Sequence, residues 1–135
     1  MQFLYTLVIY LLSPFVLLRL FYLGRKKPEY RARWKERFGY ISWQKPEQKI
    51  IWVHAVSVGE VNASKQLIRF LLDNYKNYRI LITTVTPTGA YTVQQHFSDD
   101  VYHLYFPYDL PFAVKRFLKT VQPVIFMSME TEIWP

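Results

Sequence analysis

Lys49-Ile50-Ile51-Trp52-Val53-His54-Ala55-Val56-Ser57-Val58-Gly59-Glu60 is the stretch on which the fold turns. Residues 50–54 are a short run of β-branched and aromatic residues, apolar toward both faces, which reads as a buried strand. Small and hydroxylic residues follow, and residues 61–75 then carry Leu67, Ile68, Leu71 and Leu72 at the spacing of one helix face. The stretch is therefore a strand that hands over to a helix through a short loop.

The same alternation repeats outward along the chain. Residues 79–84, 101–106 and 124–129 are further strand candidates, while 88–97 and 111–121 read as helices, the latter with Phe112, Val114, Phe117 and Leu118. The order βαβαβαβ predicts a Rossmann-like parallel sheet with right-handed crossovers. In such a sheet ligands bind beyond the carboxyl ends of the strands, so residues 54–60, 86–89, 107–111 and 130–135 are expected along one rim. Glu60 there has two readings, a functional carboxylate or an acid in the first turn of a helix. Ser57, Gly59, Thr86, Thr88 and Gly89 offer hydroxyls and backbone N–H groups to a phosphate or sugar, although Thr86-Pro87-Thr88-Gly89 equally suits a turn and helix cap. His54 and His103 read as sheet residues and His96 as solvated; three scattered histidines predict no metal site.

Before this repeat the chain changes character. Residues 3–18 hold no charge, and the apolar run resumes past Arg19 to Leu23. About 21 apolar residues suffice to cross a bilayer, with Ser13-Pro14 as a tolerated kink, so residues 1–23 are expected to form a single transmembrane anchor. A buried soluble helix is the alternative. No positive charge precedes the run and no small-residue cleavage site follows it, which argues against a cleaved signal peptide.

Behind the apolar run lies a basic belt, Arg19, Arg25, Lys26, Lys27, Arg31, Arg33, Lys35 and Arg37 against Glu29 and Glu36, which holds +6 of the formal +7. Everything after it carries nine basic and eight acidic residues, so the charge predicts an anionic membrane as partner and excludes a nucleic-acid surface. By the positive-inside rule the N-terminus is expected outside and the remaining chain on the cytoplasmic side. Residues 28–38, with Pro28 in the first turn and Gly39 as C-terminal cap, predict a short helix whose basic residues lie along lipid or in solvent; 41–48 read as linker. At 135 residues, 51% hydrophobic and 19% aromatic, the chain is too apolar for disorder and large enough for one domain, and the lack of cysteine excludes disulfides and thiolate metal sites.

The segments Ser57-Val58-Gly59-Glu60, Thr86-Pro87-Thr88-Gly89, Pro107-Tyr108-Asp109-Leu110-Pro111 and Glu130-Thr131-Glu132-Ile133-Trp134-Pro135, in this order behind a hydrophobic anchor and the belt from Tyr30 to Tyr40, resemble the bacterial Kdo (3-deoxy-D-manno-octulosonic acid) transferases over essentially the whole chain. The resemblance implies the N-terminal half of a GT-B glycosyltransferase: 1–23 the anchor, 24–48 a basic juxtamembrane helix and linker, 49–135 a truncated Rossmann-like acceptor domain. It implies a Gram-negative inner-membrane enzyme that moves Kdo from CMP-Kdo to a lipid A precursor, without cofactor or metal, and a fragment that is inert without its donor domain. Glu60 would be the general base, Glu130 a second catalytic carboxylate that stabilises charge or orients the acceptor, and Glu132 structural. Ser57, Gly59, Thr86, Thr88 and Gly89 would contact the acceptor. Two other readings stay open: a membrane-tethered module that binds a lipid headgroup without chemistry, and a GT-B enzyme with another nucleotide sugar.

Overall fold

The computed structural model describes residues 2–26 and 28–130. Helix α1 is Gln2–Lys26, followed by two 3-10 turns, Pro28–Tyr30 and Trp34–Phe38, and then by β1 (Lys49–His54), α2 (Val58–Asn74), β2 (Tyr78–Thr84), α3 (Pro87–Phe97), a 3-10 turn Ser98–Asp100, β3 (Tyr102–Tyr105), α4 (Pro111–Val121) and β4 (Pro123–Ser128). The four strands form one sheet in the order β3-β2-β1-β4, with every neighbouring pair parallel.

The alternation of side chains along each strand divides the core in two. Ile51, Val53, Ile80 and Ile82 face α2 and α3, through Val61, Ile68, Leu71, Val93 and Phe97. Ile50, Trp52, Leu81 and Leu104 face the other way, onto Phe117 and Val121 of α4, with Ile41 and Trp43 packed beside them. Trp52 is the centre of that second layer, its ring 4.9 Å from Phe117 and 4.2 Å from Phe126, and its indole N–H donates to Thr83 Oγ1 at 2.8 Å, so the one polar atom of the side chain is satisfied within the sheet. The linker expected over 41–48 thus covers part of the sheet through Ile41 and Trp43.

Strand β4 differs from the fully buried strand expected. Val124, Ile125 and Phe126 are about half exposed; among the described residues β4 is an edge strand, and its pairing with β1 shifts register between Ile50 and Ile51. Pro123 is tolerated there as the first residue of the strand, where the ladder begins.

Residues 28–38 are not the continuous helix expected. Arg33 adopts a left-handed conformation (φ 57) and splits the segment into two turns. The competing force is the free edge of β3: the Arg33 guanidinium donates to the His103 carbonyl at 2.6 Å, and Glu36 Oε2 accepts from the Tyr105 N–H at 3.0 Å. Arg33 and Glu36 are themselves joined by two parallel bonds of 2.7 and 2.9 Å. The bidentate pair therefore satisfies the backbone that a fifth strand would otherwise pair. Gly39 then ends the second turn at φ 78, where its N–H closes onto Glu36, and its backbone lies against α4.

Helix α1 is the one described helix long and apolar enough, over Leu4–Arg25, to cross a membrane, and little of it is buried. Arg31 folds back on its end, with its guanidinium 4.7 Å from the Phe21 ring and its side chain filling the space over Gly24. Ile9, Leu12, Val16 and Leu17 line an apolar cavity of about 230 Å³ shared with Phe38 and Tyr108–Leu110, and the Tyr5 hydroxyl donates to Asp109.

Candidate active site at the switch point of the sheet

The chain leaves β1 toward β2 and β3 on one side and returns through α4 to place β4 on the other. The sheet's switch point is therefore the gap between the carboxyl ends of β1 and β4, where open α/β sheets bind their ligands. The two ends are tied together, since the Met129 N–H donates to the His54 carbonyl at 2.9 Å. Glu60 follows β1 and Glu130 follows β4, so both carboxylates are issued at this gap. Glu132 lies outside the described residues.

Ser57 is the N-cap of α2, in extended conformation, but its hydroxyl makes no capping bond. Glu60, three residues on, reaches back instead: its Oε2 accepts from the Val56 N–H. That is the reciprocal half of a capping box shifted by one residue, and it fixes the carboxylate at the mouth of the loop. Gly59 has nothing within 4 Å of where a Cβ would stand, so the first turn of α2 presents open backbone. Beneath the loop His54 is buried, with Nδ1 2.9 Å from Thr83 Oγ1 and its ring 3.9 Å from Phe106. Burial holds its pKa below the ordinary value, opposed by the Thr83 carbonyl and the Glu60 carboxylate, so the ring beside Glu60 is neutral.

The second loop follows the cap reading. Thr86 Oγ1 accepts from the Gly89 N–H at 3.1 Å, and a Cβ on Gly89 would stand 3.0 Å from that oxygen and 3.2 Å from the Thr84 Cβ. Thr86 and Gly89 thus bring α3 close onto β2, while Thr88 is exposed, its hydroxyl 3.3 Å from Thr86 Oγ1. Glu130 donates its N–H to Ser128 Oγ at 3.3 Å. Among the described residues no group of three His, Asp or Glu is placed to hold a metal ion.

Sequence reasoning missed a polar chain that enters this rim from the basic belt. Arg33 Nη1 lies 3.0 Å from His103 Nδ1; a guanidinium only donates, so Nδ1 accepts and the neutral ring carries its hydrogen on Nε2, 2.9 Å from Thr84 Oγ1. The Thr84 hydroxyl in turn donates to the Thr86 carbonyl at 3.3 Å. Burial, then Arg33 and Arg37, lower the His103 pKa to about 3. Arg37, only 4% exposed, donates to the Val85 carbonyl at 2.7 Å with its guanidinium 4.3 Å from the Tyr105 ring. Two belt arginines therefore serve the rim and not a lipid surface. The sequence carried one signal of this, the Arg33 and Glu36 pair at i, i+3, but not its target.

A parallel sheet with glutamates in the loops that follow the two strands flanking its switch point has the form of a ligand-binding α/β domain. The sequence model of the family "3-Deoxy-D-manno-octulosonic-acid transferase (kdotransferase)" matches residues 32–135. Over 135 residues, 99% of this chain and 32% of the relative, it is 43% identical to the 3-deoxy-D-manno-octulosonic acid transferase of Haemophilus influenzae. A protein described as a probable mitochondrial form in Arabidopsis thaliana is 35% identical over 98% of this chain and 30% of its own length, and the Bordetella pertussis transferase 31% identical over 97% and 32%. The chain belongs to the 3-deoxy-D-manno-octulosonic-acid transferase family, as its N-terminal part. It spans about a third of the length of the curated relatives it matches.

Proposed function

We propose that this chain is the acceptor-binding part of a GT-B glycosyltransferase that moves Kdo from CMP-Kdo to the lipid A precursor lipid IVA in lipopolysaccharide biosynthesis. The observation that carries this reading is that Glu60 and Glu130 stand in the loops that follow β1 and β4, adjacent strands of the sheet, in a member of that family. In the reaction an acceptor hydroxyl attacks the anomeric carbon of Kdo, the carbon–oxygen bond to the phosphate of CMP breaks, and CMP leaves with the bonding pair. Glu60 takes the proton released by the hydroxyl, a role worth about 10²- to 10⁴-fold in rate. Glu130 stabilises positive charge on the anomeric carbon or orients the acceptor. Ser57, whose hydroxyl is not used in capping, and the open backbone at Gly59 contact the acceptor, and exposed Thr88 extends that surface. Thr86 and Gly89 act by holding the loop. CMP-Kdo binds in a second domain, and this stretch alone is inert.

Helix α1 anchors the chain in the inner membrane, with the sheet on the cytoplasmic side and Arg25, Arg31 and Lys35 against anionic headgroups. The test is to incubate the full-length protein with CMP-Kdo and lipid IVA in detergent and follow Kdo incorporation. Incorporation from CMP-Kdo supports the proposal; incorporation only from another nucleotide sugar overturns the donor. A second reading, a headgroup-binding module without chemistry, draws on the Glu60 bond to the Val56 N–H, which is what a purely structural carboxylate would make. Lipid bound without any transfer would establish it.

A further inference from the structure

Helix α4, PFAVKRFLKTV, holds Lys115, Arg116 and Lys119 and no acidic residue. Ala113, Phe117 and Val121 face the sheet. At 100° per residue the opposite arc runs through Leu118, Lys115, Lys119 and Phe112. Phe112 is 40% and Leu118 43% exposed, so two large apolar side chains flank the two lysines on the outer face. The helices on the other face of the sheet lack this pattern: α2 balances Lys65 and Arg69 with Glu60 and Asp73, and α3 carries no charged residue besides His96.

The position of α4 gives this arc a neighbour. Its N-cap, Leu110, lines the apolar cavity against α1. Arg116 stacks on Tyr40, 3.9 Å from the ring centroid, and donates to the Phe38 carbonyl at 3.1 Å. Trp34 and Tyr40 are exposed beside it, with Arg25, Arg31 and Lys35 on the same stretch. Aromatic side chains interleaved with cations, next to a bilayer-length apolar helix, are the composition of a membrane interface.

We infer that the outer face of α4 is a second lipid-contact surface, continuous with α1 and the basic belt, that lays this side of the sheet on an anionic bilayer. Lys115 and Lys119 are drawn to anionic headgroups, and the Phe112 and Leu118 side chains enter the headgroup boundary. The occupant is lipid because the arc is cationic without a counter-charge, and because it continues the surface of α1. The inference rests on the proposal that α1 lies in the membrane.

These 135 residues contain no cysteine, so single-cysteine variants of the full-length protein are uniquely labelled once any cysteine in the remainder of that protein is replaced by serine. L118C reports α4, L11C reports α1, and Y91C, on exposed Tyr91 of α3, reports the opposite face. Each carries an environment-sensitive fluorophore and is placed in nanodiscs of phosphatidylcholine with or without phosphatidylglycerol, containing lipids spin-labelled at the headgroup and at the acyl-chain end. The inference predicts that L118C and L11C lose fluorescence to the quenchers in anionic discs while Y91C keeps it. Raising salt from about 0.1 M to about 1 M shortens screening from about 10 Å to about 3 Å and should release L118C but not L11C. Quenching of L11C without L118C overturns the α4 surface and leaves the membrane anchor standing. If L118C is shielded in detergent too, protein covers the helix and the inference fails. An unquenched L11C overturns the anchor and this inference with it.

Discussion

Gly39 shows how little freedom single positions have where the belt meets the sheet. Its φ of 78 is left-handed, and a Cβ there would stand 2.5 Å from the Ala113 carbonyl of α4, a backbone atom that cannot swing aside. Gly39→Ala is therefore expected to destabilise the full-length protein by about 1–3 kcal/mol, read as a lower urea midpoint in detergent. His103 makes a pH-dependent counterpart. Its folded pKa of about 3 lies below the ordinary value of about 6.5, so as pH falls the unfolded chain takes up the proton first and stability is lost from about pH 6.5 downward. His103→Gln keeps an acceptor for Arg33 and a donor for Thr84 but does not titrate. Between about pH 7 and about pH 5 the parent protein should lose up to about 2 kcal/mol more than this variant. Equal losses would mean that His103 is not held neutral.

At the scale of elements, the repeating strands and helices were legible because their period and punctuation agree. Helix 111–121 begins at a proline in both the reading and the structure, and the strands fall within a few residues of expectation. The segment 28–38 was not legible for a physical reason: its composition favours helix, but the unpaired edge of β3 offers Arg33 and Glu36 partners about 70 residues away, and tertiary bonds override local propensity. Glu36→Ala should therefore cost about 1–3 kcal/mol and speed amide exchange at Tyr105, whose N–H loses its acceptor. The rim loops were readable as loops after each strand but not as contacts. That Glu60 holds Val56, or that Thr86 spends its hydroxyl on Gly89, follows from the turn geometry at each helix start, which residue types alone do not set.

For the whole molecule, strand order decides more than strand existence. The alternation in the sequence predicts a parallel sheet whatever its order, and the order β3-β2-β1-β4 makes the loops that carry Glu60 and Glu130 follow adjacent strands, with the switch point between them. The same crossover puts α4, and not α2 or α3, on the face covered by Ile41 and Trp43, so the proposed chemistry and the proposed membrane contact belong to neighbouring parts of one rim. The account stands or falls on Glu60, which is both a loop support and the proposed base. Glu60→Gln separates the two roles, because its amide oxygen still accepts from the Val56 N–H but the side chain no longer takes a proton. The measurement is Kdo transfer from CMP-Kdo by the full-length enzyme, its Glu60→Gln variant and its Glu60→Ala variant, with the urea midpoint of each. Loss of about 10²-fold or more in both variants, with the Glu60→Gln midpoint unchanged, is the predicted result. Near-parent transfer by Glu60→Gln would contradict it and leave Glu60 a structural cap.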